Sequence, residues 1–189
     1  MTPTPLSKLD DVNAWCWRQL VRGAADPKSA LHWPVVCTNG DHPAGRVMVL
    51  RRTDAETRTL ELYTDRRSAK IAEIEASNEI ECVFFDQKRG LQIRVRGTAH
   101  LVVGHGPATE RLRSIPEHRR QDYETVPGPG HPIDAADAFQ HLTGSADKNF
   151  CLIVVKVTKL DWLQLSPSGH RRASIEWHQD KVALTWLVP

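Results

Sequence analysis

The sequence has no long apolar run: no window approaches the ~18 consecutive apolar residues that a membrane-spanning helix needs, and mean hydropathy is −0.42. A helical membrane protein is thereby excluded. The start, MTPTPLSKLDD, has neither the basic segment nor the apolar segment of a secretory leader, so cytoplasmic residence is expected. A surplus of one charge sign is also missing. Against 23 Asp and Glu stand 25 Lys and Arg, a net charge of +2, whereas nucleic-acid binders carry a strongly basic balance. Neither a nucleic acid nor a membrane is an expected partner.

Paired cysteines are absent too. Cys16, Cys37, Cys82 and Cys151 form no CxxC and have no histidine at zinc-ligand spacing, so they read as reduced, buried thiols. The nine histidines show neither HxxxH nor HxH spacing, and no metal is expected. Gly104-His105-Gly106 lacks the third glycine of a dinucleotide fingerprint, Thr109 standing there, and reads as a strand-to-helix turn. Ser145 follows Gly144 without a GxSxG elbow, so hydrolase chemistry has no motif. Tyr and Phe are scarce, two and four, beside six Trp, three of which lie in the last 28 residues.

What is present is a chain of 189 residues, the length of one domain at ~100–200 residues each. Residues 1–25 carry an N-terminal helix opening at Ser7, with Asp10 three residues on, Leu9, Val12, Cys16 and Leu20 on one stripe, and Gly23 as a stop. Strands are expected over 32–38, 46–52, 60–64, 79–85, 91–103, 149–165, 174–179 and 182–188, with a short helix at 68–76. Residues 107–142 form a helical and loop insertion, with helices at 107–120 and 135–142 around a Pro/Gly-rich loop. In the 91–103 strand Gln92, Arg94 and Arg96 alternate with Leu91, Ile93 and Val95, as on a half-buried antiparallel strand. Seven or eight strands at close spacing with few helices indicate an antiparallel barrel with peripheral helices.

Chemistry concentrates between Arg46 and Gly97. Tyr63-Thr64-Asp65-Arg66-Arg67-Ser68-Ala69-Lys70 runs from a strand end into a helix start, where free backbone N–H groups and partial positive charge favour an anion. Hydroxyls of Thr64 and Ser68, with Lys70 and Arg46 or Arg67 in reach, suit a phosphate. On spacing alone the alternative stands beside it: Ser68 as a simple N-cap and the cations as a solvated surface.

Three stretches, RVMVLR, YTDRRSAKIAEI and LQIRVRG, resemble in order and spacing the signatures of the pyridoxamine 5′-phosphate oxidase-like family, the FMN-binding split barrels. The closing strands, with Trp162 before a turn and Arg171-Arg172 after it, are similar as well. The resemblance implies a mainly β (α+β) fold, a six- to eight-stranded antiparallel split barrel with short peripheral helices. It implies that Arg46, the backbone of Val47, Met48, Val49 and Leu50, and Arg51 border an FMN, with Tyr63, Thr64, Arg67, Ser68 and Lys70 at the ribityl chain and phosphate. Gln92 would meet the isoalloxazine. The family is homodimeric with FMN between subunits, so Trp162, Gln164 and Arg172 would come from the second copy. Arg46 and Arg51, five apart, point to opposite faces of a regular strand, so both reach one cofactor only through a bulge, a strand end or the second subunit.

Some positions depart from the oxidases themselves. Ala69 stands where a second basic residue is common, Arg51 replaces a lysine, and His170-Arg171-Arg172-Ala173 lacks the Arg-x-His pair. The cofactor half of the pattern is present and the substrate half has changed. An oxidase-related flavoprotein, an oxidoreductase of unidentified small-molecule substrate, is therefore expected. The alternatives are a true pyridoxamine/pyridoxine 5′-phosphate oxidase and a non-catalytic flavin- or tetrapyrrole-binding protein.

Overall fold

The computed structural model describes residues 6–179 and 181–189; residues 1–5, where the sequence start was read, and residue 180 lie outside the described residues. Helix α1 spans Leu9–Ala25 and buries Val12, Cys16, Trp17 and Leu20 at helical spacing. It starts after Lys8 with no side-chain cap, so Ser7 does not serve as the expected N-cap. Nor does Gly23 stop it. That glycine sits inside the helix against the Leu31 carbonyl, where a Cβ would approach to 2.8 Å. A single 3₁₀ turn, Ala30–His32, takes the start of the expected 32–38 strand. Strand β1, Val35–Asn39, begins only after Pro34.

The expected 46–52 strand is two strands. β2, Pro43–Val47, pairs with β1, while β3, Leu50–Asp54, pairs with β4, Thr59–Asp65. Met48 and Val49 carry the chain between these partners, and a register shift between Leu50 and Arg52 puts Arg51 on a bulge. Helix α2, Ala69–Ala76, buries Ile71 and Ile74. β5, Glu79–Asp86, and β6, Leu91–Val103, follow as a hairpin. The long helix expected at 107–120 breaks into α3, Pro107–Ser114, and α4, Glu117–Arg120, because Pro116 has no N–H to donate and biases Ile115 to an extended backbone. No helix forms over 135–142. That segment is exposed, so it has no apolar face to bury, and it holds only the short strand β8, Gln140–His141, paired with β7, Thr125–Val126.

Helix α5, Ala146–Asn149, leads into β9, Phe150–Gln164, followed by β10, Arg171–His178, and β11, Lys181–Leu187. The antiparallel split-barrel fold is thus present, as a nine-stranded sheet running β11-β10-β9-β6-β5-β1-β2, with β3-β4 attached to β9. The split of the 46–52 segment adds the ninth strand. The sheet does not close on itself. β9 pairs along its length with β6 while its other edge takes β4 over Phe150–Lys156 and β10 over Lys159–Gln164.

The inner face holds the main core, including Val36, Leu50, Leu62, Cys82, Phe84, Ile93, Val155 and Trp162, plugged by α1. A smaller core, with Leu112, Phe150 and Leu152, lies on the other face under α3 and α5. Cys16, Cys82 and Cys151 are buried free thiols, Cys37 a half-buried one. Among the described residues no helix is long and apolar enough to cross a membrane.

Candidate functional site

Near the end of β4, Thr64 faces inward and pairs with Cys151 of β9. The chain then turns: the Ser68 N–H donates to the Asp65 carbonyl at 3.1 Å, and the Ser68 hydroxyl donates to the same oxygen at 2.8 Å. Ser68 therefore occupies the N-cap of α2 with no side-chain cap bond, and the positive end of the helix faces the turn uncapped. Thr64 Oγ1 and Ser68 Oγ stand 3.4 Å apart. Lys70, in the first turn of α2, donates from Nζ to Thr64 Oγ1 at 3.1 Å.

Arg46 enters from β2. Its register partner is Val36, whose side chain is buried, so Arg46 points to the inner side of the sheet, the side of Thr38. Its Nη1 donates to the Thr38 hydroxyl and its Nη2 to Glu73 Oε2 at 2.7 Å, while the Thr38 hydroxyl donates to the same Glu73 oxygen. A guanidinium has five N–H donors, so three remain. The Lys70 pKa is lowered, first by burial and then by the Arg46 charge, against the weaker opposing pull of Glu73 and Asp65. Glu73 is held below the usual carboxylate range, mainly by the Thr38 hydroxyl and, after an opposing effect of burial, by Arg46.

Two cations thus sit close enough to disfavour each other, next to two hydroxyls and a helix N-terminus. Such a set suits an anion that takes several charge-assisted hydrogen bonds. A phosphomonoester meets that requirement, so the residues present fit the phosphate end of FMN.

The other sequence-derived residues fall into three places. In the β2–β3 connection Val47 is 61% exposed and Leu50 fully buried, Met48 is buried with its N–H on the Pro34 carbonyl, and Val49 is half-buried. On the outer side Arg51 lies over the Tyr63 ring, 5.3 Å from its centroid. Tyr63 is edge-on to Phe150 at 5.1 Å, and burial raises its phenol pKa, with Glu61 adding to the shift. The bulge at Arg51 is the irregularity that strand parity requires, yet it does not bring Arg51 to Arg46. Arg67 turns away from Lys70: its Nε and Nη2 bind Asp65 at 2.9 and 2.6 Å, and its Nη1 donates to the Thr125 carbonyl at 2.7 Å.

Farther off, Gln92 stands on the outer face of β6, paired with Phe85 and Leu163. Arg172 also pairs with Leu163, from the other side, and is held by Asp161 at 3.0 and 2.7 Å. Gln92 and Arg172 therefore flank one outer-face residue. Trp162 is 2% exposed, and its ring lies 6.4 Å from that of Trp186, which is itself exposed. The Trp162 Nε1 is buried and without a hydrogen-bond partner among the described residues. Gln164 donates from Nε2 to the Arg89 and Gly90 carbonyls. The structure thus gathers Arg46, Thr64, Ser68 and Lys70, sets Arg51, Tyr63 and Arg67 behind them, and leaves Gln92 and Arg172 on the opposite face of the sheet.

Sequence reasoning missed Thr38 and Glu73. The second had a signal, since Lys70-x-x-Glu73 puts both charges on one side of α2. Thr38 had none, because only the β1–β2 register brings it beside Arg46.

Residues 16–103 match the family model described as pyridoxamine 5′-phosphate oxidase, FMN-binding domain, a stretch that runs from α1 to the end of β6 and contains every residue of the cation cluster. Pyridoxine/pyridoxamine 5′-phosphate oxidase 2 of Arabidopsis thaliana is 23% identical over 165 residues, 79% of this chain and 83% of that protein. Among solved structures, a pyridoxamine 5′-phosphate oxidase-related, FMN-binding protein of Nostoc punctiforme superimposes with a TM-score of 0.76 at 20% identity, over 98% of this chain and all of that one. PhzG of Burkholderia lata, solved with tetrahydrophenazine-1-carboxylic acid, superimposes with a TM-score of 0.79 at 14% identity, over 100% and 99% of the two chains. At these identities the superpositions show a shared fold.

Proposed function

We propose that this chain, whose residues 16–103 match the pyridoxamine 5′-phosphate oxidase FMN-binding domain, binds FMN and works as an FMN-dependent oxidoreductase, in the cytoplasm, on a small-molecule substrate. The observation that carries this reading is the pairing of Arg46 and Lys70 beside Thr64, Ser68 and the uncapped start of α2. FMN, when bound, supplies two-electron redox chemistry, and the protein supplies binding, orientation and electrostatics. Lys70 and the three remaining donors of Arg46 hold the phosphate, with the hydroxyls of Thr64 and Ser68 beside them. The Val47 to Leu50 segment borders the rest of the cofactor.

A homodimer belongs to the same proposal. Gln92 and Arg172 lie on the face of the sheet opposite to the Arg46 side chain, so a second copy is needed to bring an outer face against the open edge of the first. That outer face carries exposed Val35, Val47 and Phe85, apolar surface of the kind a partner covers. Purified protein should be yellow and should bind FMN at micromolar concentration or below; colourless protein that takes up no FMN contradicts the reading. The Arabidopsis relative favours a second reading, turnover of pyridoxine or pyridoxamine 5′-phosphate. Ala69 and the missing Arg-x-His pair argue against it, and a steady-state assay with both substrates separates the two.

A further inference from the structure

We propose that Glu73 is a positioning residue of the phosphate cradle, bracing Arg46 together with Thr38 so that the guanidinium stays aimed at the anion. The inference rests on the FMN reading. One oxygen, Glu73 Oε2, accepts from both Arg46 Nη2 and the Thr38 hydroxyl, while Thr38 accepts from Arg46 Nη1. The three side chains close a triangle across β1, β2 and α2, and each leg fixes the other two.

The brace consumes two of the five Arg46 donors and leaves Nε–H and one proton on each terminal nitrogen for a ligand. Glu73 is itself immobilised. Its Cγ lies against the turn after β1, where a Cβ on Gly40 would come within 3.2 Å, and its side chain is 18% exposed. It also answers a repulsion: Arg46 and Lys70 disfavour one another, and the Glu73 carboxylate, bound to Arg46 Nη2 at 2.7 Å, holds the guanidinium in place. Glu73 stands one turn below Lys70 on the same helix, so α2 delivers one cation to the ligand directly and orients the other through a carboxylate.

The test compares FMN with riboflavin, which lacks the phosphate. Binding of both to the full chain is followed by quenching of flavin fluorescence. In E73L the FMN dissociation constant rises about tenfold, the loss of one charge-assisted hydrogen bond, and riboflavin binding stays within about twofold. E73Q, whose amide oxygen still accepts from Thr38 and Arg46, restores FMN binding to within about threefold of wild type. T38V removes the same brace from the strand side and shows the same FMN-selective loss, which keeps the test decisive if E73L does not fold. An unchanged FMN-to-riboflavin ratio in the variants that fold overturns the proposal. So does tighter FMN binding in E73L, because Glu73 then competes with the phosphate. Wild-type protein that binds neither flavin defeats instead the FMN reading on which the proposal rests.

Discussion

Lys70 is the residue whose chemistry the fold alters most usefully. Burial and the neighbouring Arg46 lower its pKa from 10.5, so the folded apoprotein binds fewer protons than the unfolded chain between the lowered value and 10.5. Its contribution to stability therefore rises with pH across that window, and below the window the fold carries the cost of a charged Lys70. Phosphate binding needs the charged form. FMN affinity is thus expected to fall as pH rises through the lowered Lys70 pKa, riboflavin affinity is not, and K70M abolishes the difference; parallel titrations from pH 7 upward check this.

At neutral pH, K70M should weaken FMN about 10- to 100-fold, from ~1.5–3 kcal/mol for a hydrogen bond to a charged group. Lys70, Ser68, Thr64 and Arg46 are legible in the sequence because strand end, turn and helix start place them within a few residues or on a recognisable strand. Glu73 is legible only as a charge beside Lys70, and Thr38 not at all. Their roles arise from a register between two strands and from which way one guanidinium turns. Arg67 reads from spacing as a phosphate ligand, yet Asp65, two residues earlier, takes its fork.

Among the elements, β6 and β9 carry the geometry that the site depends on. Their register shifts between Arg96 and Gly97, and there the backbones approach so closely that a Cβ on Gly97 would meet the Lys156 carbonyl oxygen at 2.2 Å. A backbone oxygen in a long ladder has little room to move. G97A is therefore expected to cost about 3 kcal/mol or more, lowering the melting midpoint by roughly 6–12 °C in a chain of this size, as calorimetry would show.

The 123–130 loop is held differently, by the Arg67 bond to the Thr125 carbonyl and by the Asn149 amide on the Tyr123 carbonyl. In R67A, limited proteolysis should cut within 127–142 several-fold faster while the melting midpoint moves by only a few degrees; unchanged cleavage would show that the loop is secured without Arg67. Element type was readable wherever period and flanks agreed, as for α1, α2, β5 and β6. It failed where a proline or a change of pairing partner intervened: RVMVLR has the composition of one strand, but its halves serve different neighbours. Residues 135–142 have helix-forming alanines but nothing to pack them against.

For the whole molecule, the open sheet and its exposed outer face raise the question of a second copy. Phe85 is 49% exposed there, in register with Gln92. If two chains share the flavin, F85E should drive the protein toward a 21.3 kDa monomer in light-scattering measurements and weaken FMN and riboflavin together. That pattern differs from the phosphate-selective losses of Lys70 and Glu73 variants. FMN at about a hundredfold over its dissociation constant should stabilise the wild-type fold by ~2.7 kcal/mol.

The measurement that tests the central claim most directly is a titration of the flavin-free protein with FMN and with riboflavin, in wild type and in the R46M/K70M double variant. The account predicts one FMN per chain, riboflavin bound at least about tenfold more weakly, and loss of that preference in the double variant. Equal affinity of wild type for the two flavins, or FMN binding untouched by R46M/K70M, would contradict it.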